Sequence, residues 1–149
     1  MKGFLSILII SFILITACGK DKFETKPTLE IKSVNSKNLG FNQDLIVNLE
    51  FRDKEGDVDS VLFVIRERVN RLGRKTLSNN YAVPNFPNKN KGEIQVTLDH
   101  STQLIATFST ISLPGGKVQP DTMNIKFVLK DRKDNKSDTV VVDNVVITR

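Results

Sequence analysis

"MNIKFVLK", Met123 to Lys130, sets the reading of the whole chain. Met123, Ile125, Phe127 and Leu129 share one parity, while Asn124, Lys126 and Lys130 take the other. A period of two puts the apolar four on one face and the polar three in water, which suits a half-buried strand and not a helix. Working outward, the same period recurs. Leu29 and Ile31 alternate with Glu30 and Lys32 within Thr28 to Val34, and Leu45, Val47, Leu49 and Phe51 oppose Asn48 and Glu50. Ile94, Val96 and Leu98 oppose Gln95 and Thr97.

The remaining segments are less regular. Val61 to Ile65 is an unbroken apolar run, expected for a central strand covered on both faces. Val61, Ile65, Val69 and Leu72 also fit one face of a helix, although the β-branched content of the run favours a strand. Leu104 to Ile111, β-branched and aromatic, is expected to be a strand as well. Val140 and Val142 have one parity and Val145 and Ile147 the other, so a bulge at Asp143–Asn144 is predicted to turn all four inward.

Seven segments of this kind, separated by turn-rich stretches and without an internal repeat, predict an all-β fold. The expected architecture is an antiparallel β-sandwich, strands A to G in immunoglobulin-like order. That order is similar to small immunoglobulin-like or fibronectin-like modules of bacterial surface proteins, but without tryptophan there is no Cys-Trp-Cys core. Asn70 to Gly92 forms the long connection after strand C, with room for a short extra strand near Lys75 to Val83.

Length and composition agree. With 149 residues, 39% hydrophobic and 26% charged, the chain has ordinary globular composition and enough length for one core. A single cysteine allows no internal disulfide, and with one histidine it excludes a zinc site built from clustered Cys and His. The net charge is +5, and Arg66, Arg68, Arg71, Arg74, Lys75, Lys89 and Lys91 crowd one stretch against Glu67 alone. Such a run can attract acidic glycans or anionic headgroups, which makes Arg71, Arg74, Lys75, Tyr81 and Lys89 candidate binding residues. More often a charge run is a solvated face. Tyr81 and Phe86 are too few for a base-stacking platform, so no nucleic-acid partner is expected.

The first residues carry an address. Met1-Lys2 gives a positive start, Phe4 to Ile15 is apolar apart from Ser6 and Ser11, and Thr16-Ala17 closes the run with small residues. That is the pattern of a secretory signal, and the run is shorter than the ~20 residues a membrane span needs. Leu14-Ile15-Thr16-Ala17-Cys18 resembles the lipobox of bacterial lipoproteins, with Ile15 standing where leucine is usual. The resemblance implies cleavage before Cys18 by signal peptidase II and acylation of Cys18 by chains such as palmitate, anchoring the chain to membrane. It divides the sequence into a signal peptide (1–17), an acylated cysteine with a tether (18–26) and the sandwich (27–149). Gly19 in place of Asp argues against inner-membrane retention, and Lys20-Asp21 faintly resembles short surface-export signals; the outer membrane is favoured and the leaflet stays open.

Two acidic loops are the sharpest local feature of the domain. Asp53, Glu55, Asp57 and Asp59 lie between strands B and C, and Asp131, Asp134, Asn135 and Asp138 between F and G. These loops leave an immunoglobulin-like sandwich at the same end, so Asp53, Asp57, Asp59, Asp131 and Asp134 are candidate calcium ligands. Turn formation explains the same residues, because Asp, Asn and Gly favour turns, and Arg52, Lys54, Arg132, Lys133 and Lys136 would oppose a cation. No other cofactor is indicated. Asp99-His100-Ser101 are sequence neighbours, which does not build a catalytic triad. The expectation is a non-enzymatic, lipid-anchored binding or assembly module of the cell envelope, whose partners are envelope proteins or acidic glycans. The alternative is a small envelope hydrolase working through carboxylates of the 53–59 and 131–138 loops.

Overall fold

A computed structural model describes residues 26–58, 60–85 and 89–149. The signal segment, Cys18 and Asp59 lie outside the described residues. The strands are β1 (Thr28–Val34), β2 (Asn38–Leu39), β3 (Leu45–Arg52), β4 (Val61–Arg68), β5 (Lys75–Ala82), β6 (Lys91–Leu98), β7 (Asp121–Lys130) and β8 (Val140–Ile147). They form an antiparallel sandwich of two sheets, β1-β3-β6 and β2-β8-β7-β4-β5; only the two-residue β2 joins its neighbour in parallel. In immunoglobulin lettering β1, β3 and β6 are A, B and E, while β4, β5, β7 and β8 are C, C′, F and G.

Parity builds the core. Leu45, Val47, Leu49 and Phe51 of β3 face Met123, Ile125, Phe127 and Leu129 of β7 through one shared cluster, all of them fully buried. β4 buries Leu62, Val64, Arg66 and Arg68 in strict alternation, so Val61 to Ile65 has one inward face and a half-covered outer one. Strand therefore prevails over helix there. The bulge in β8 is present: Met123 pairs with Val145 and Ile125 with Val142, leaving an extra residue on β8. Asn144 takes the left-handed conformation at φ 53°, and its backbone N–H donates to Asn124 Oδ1 at 3.0 Å.

Two expectations are corrected. β6 pairs with β3 along its length, which makes it strand E, and no D strand occurs among the described residues. Leu104 to Ile111 is not a strand but a π-helical turn, His100–Leu104, followed by bends. Asp99 decides this locally, since its Oδ1 accepts from the Thr102 backbone N–H at 2.7 Å and from the Ser101 and Thr102 hydroxyls. A side chain that caps a turn so completely outweighs β-propensity. Leu104, Phe108 and Ile111 then reach the interior from the turn and the bends that follow it.

Candidate functional site

The inward rows of β3 and β7 each continue one step past the strand, and at that step each carries a carboxylate. Asp53 follows Phe51 by two residues and is 2% exposed; Asp131 follows Leu129 by two and is fully buried. Because β3 and β7 end on the same side of the sandwich, the two acids are buried face to face. Gly56 turns the chain at φ 70°, and Asp57 comes back toward Asp53, its backbone N–H donating to Asp53 Oδ2 at 3.0 Å. The Arg132 N–H donates to the Asp57 carbonyl at 3.0 Å, tying the two loops together. One carboxylate oxygen each from Asp53, Asp57 and Asp131 lies within 4.8 Å of the others.

Hydrogen bonding within this group is uneven. Asp131 Oδ1 accepts the Lys133 and Asn135 N–H groups at 2.8 Å, and Oδ2 accepts Asn135 Nδ2 at 2.8 Å, an Asx-turn that closes the β7–β8 loop. Asp53 Oδ1 and Asp57 Oδ1 are buried with no hydrogen-bond donor among the described residues. Burial pushes the Asp57 carboxyl above its ordinary range, and hydrogen bonding to Asp53 and repulsion from Asp53 and Asp131 push it further. The lysines nearby have other partners, although the charge of Lys133 still works to lower the Asp57 carboxyl. Lys133 Nζ pairs with Glu55 at 2.5 Å, Lys130 with Asp134 at 2.6 Å, and Lys136 lies 5.2 Å from the Phe63 ring centroid.

Of the five candidate calcium ligands, Asp53, Asp57 and Asp131 converge. Asp134 does not: it occupies a left-handed turn position at φ 65°, is exposed, and pairs with Lys130, which holds its carboxyl below the usual range. Asp59 lies outside the described residues.

The basic segment is not one surface. Arg66 and Arg68 continue the inward parity of Leu62 and Val64 and are 6% and 2% exposed. Arg66 Nη2 donates to Asn79 Oδ1 at 2.6 Å. Arg71 and Arg74 are exposed in the β4–β5 turn, with Lys75 beside them donating to the Thr107 carbonyl at 2.9 Å. Tyr81 sits at the far end of β5, roughly 20 Å away at the rise of an extended strand, and accepts a hydrogen bond from Gln103 Nε2 at 3.1 Å. Lys89 precedes Asn90, whose carbonyl accepts the Asp53 N–H at 2.9 Å, so it belongs to the acidic end. The strand β5 that separates these groups is polar because it is a sheet edge, with only Leu77 and Tyr81 half-buried.

Where β5 and β6 leave the sandwich open, a cleft of about 360 Å³ runs between Leu62, Tyr81, Val83, Pro84, Ile94 and Val96. Among the described residues Glu93 is the one carboxylate on its walls, and Asp53, Asp57 and Asp131 do not line it. His100 is buried at the end opposite the cluster, with Nε2 2.7 Å from the Thr148 carbonyl oxygen and its ring edge-on to Phe41.

No family model matches the chain, and no curated protein matches it. Among solved structures it is similar to a β-glucosidase from Listeria innocua crystallised with gluconolactone, at a TM-score of 0.41 and 11% identity. That match covers 80% of this chain and 16% of the other, so the chain spans a small part of that structure.

Proposed function

We propose that this chain is a lipid-anchored, non-enzymatic binding or assembly module of a bacterial cell envelope, held at the outer membrane through Cys18. The observation that carries this reading is the sequence Leu14 to Cys18 behind an apolar run and a positive start. Nine residues lie between Cys18 and the start of β1 at Thr28, ten Cα–Cα steps that reach about 35 Å when extended. Thr28 pairs with Arg52, and Lys26 pairs with Asp138, so the chain enters the sandwich at the end that holds the acidic cluster. A membrane anchor at Cys18 attaches at that end and leaves the β4–β5 turn, with Arg71 and Arg74, free to reach away from the bilayer. Tethering acts by raising the effective concentration of that exposed tip for envelope partners.

Against the hydrolase reading stands the burial of Asp53 and Asp131, 2% and 0% exposed, packed within 4.8 Å of the Asp57 carboxylate. The test is cross-linking and affinity capture from envelope extract with the full lipidated chain and an Arg71→Glu/Arg74→Glu variant. A partner retained by the wild type and lost by the variant supports the reading; identical capture profiles contradict the role of the basic tip.

A further inference from the structure

The anomaly in the molecule is electrostatic. Asp53 Oδ1 and Asp57 Oδ1, two acceptors, are buried beside Asp131 with no donor facing them among the described residues. Burying an ionised carboxylate is costly unless something positive or hydrogen-donating faces it. Asp131 is satisfied by two backbone N–H groups and one amide, but Asp53 has only the Asp57 N–H, on its other oxygen. Turn formation accounts for Asp131; the two Oδ1 atoms are left to a proton shared between Asp53 and Asp57 or to a cation.

We propose that Asp53, Asp57 and Asp131 bind a single calcium ion that fastens the β3–β4 loop to the β7–β8 loop. All three donors are hard oxygens, and His100, the nearest alternative type of ligand in the described chain, is at the far end of the sandwich. Oxygens bonded to calcium at 2.3–2.6 Å stand at most about 5 Å apart across the ion. The mutual spacing within 4.8 Å fits that limit. Three carboxylates from irregular loops, completed by carbonyls or water, is a donor set calcium accepts, whereas magnesium ordinarily takes one or two carboxylates and keeps its waters. The site is built by the fold: the inward parity of β3 and β7 delivers Asp53 and Asp131, and Gly56 returns Asp57 to meet them.

The experiment uses the full lipidated chain in detergent, stripped with chelator, then titrated with calcium chloride by equilibrium dialysis and followed by thermal melting. The expected result is saturable binding by about 1 mM, in the range of extracellular calcium modules, with a rise in Tm. Asp53→Asn and Asp57→Asn should weaken binding by at least ~10-fold while retaining the wild-type circular dichroism spectrum. Asp134→Ala, which removes an acid outside the cluster, should bind as the wild type does. The proposal is overturned if the wild type shows no saturable binding at millimolar calcium, or if Asp134→Ala abolishes it. It is equally overturned if magnesium binds as tightly, or if Asp53→Asn raises Tm in calcium as much as in chelator, since Asp53 and Asp57 then share a proton instead of a metal.

Discussion

Arg68 and Asp121 form a completely buried ion pair, Nη1 to Oδ1 at 3.0 Å, at the end of the sandwich opposite Asp53 and Asp131. β7 therefore carries a buried carboxylate at each end of its inward row. The Asp121 end is fully partnered: Arg149 Nε reaches Asp121 Oδ2 at 2.7 Å, and Arg68 also donates to the Gly73 and Ser109 carbonyls at 2.6 Å. Phe108 packs against the Arg68 guanidinium, its centroid 5.2 Å away. The network ties the β4–β5 turn, the 105–111 crossover and the C-terminal residue to one point.

Asp121→Ala strands two arginines in the interior. The expected cost is about 3–5 kcal/mol, the usual penalty for removing one member of a buried pair. Urea unfolding monitored by circular dichroism measures it. A loss below 1 kcal/mol, the scale of an exposed ion pair, would show that Arg68 finds water in the folded state.

Much of this fold was legible beforehand, because apolar parity reports directly on which side of a sheet a residue faces. The β8 bulge followed from the parity switch between Val142 and Val145. Charged residues obey the same rule: Arg66 and Arg68 extend the parity of Leu62 and Val64 and go inside, where charge alone predicts a surface. Leu104 to Ile111 misled through composition, since the cap at Asp99, not β-propensity, set its conformation. The convergence of Asp53, Asp57 and Asp131 was visible as two loops at one end. The exclusion of Asp134 was not, because only the turn geometry sends it outward to Lys130.

Glu50 gives the fold an acid-sensitive element. Cross-strand pairing sets it opposite both Glu30 and Glu93, and Arg52, Lys91 and Lys32 offset that repulsion by closing over it at 2.9, 3.1 and 3.3 Å. Hydrogen bonds from Arg52 and Lys91 lower its pKa to about 2 from 4.5. A depressed folded-state pKa means the stabilisation is present above the unfolded value and disappears as pH falls from about 4.5 to about 2. Glu50→Gln should flatten the stability profile in that window and leave its shape above pH 6 unchanged. Unfolding midpoints across the range decide it, and an unchanged acid limb would contradict the assignment.

Asn144 should be replaceable by glycine but not by a β-branched residue. At φ 53° a valine pays the left-handed penalty of roughly 1–2 kcal/mol. Asn144→Gly is expected within about 0.5 kcal/mol of wild type, after losing little beyond side-chain contacts. Equal stability of the valine and glycine variants would mean that the bulge relocates.

Gly92 leaves space for a ring. A Cβ there would stand 2.6 Å from Phe51 Cζ, and Phe51 is fully buried opposite it on β3. Gly92→Ala should cost about 1–3 kcal/mol through overpacking, and Gly92→Ala combined with Phe51→Leu should recover part of the loss. Additive losses in a double-mutant cycle would contradict direct contact.

The lipid anchor is the claim on which the functional reading depends, and mass spectrometry of the N-terminal peptide from the membrane-extracted chain tests it most directly. A lipid-anchored chain yields a peptide that begins at Cys18, with a diacylglyceryl thioether on its sulfur and a mass that returns to the unmodified, uncleaved chain in Cys18→Ser. A mature chain beginning elsewhere, or beginning at Cys18 with a free thiol, would contradict it.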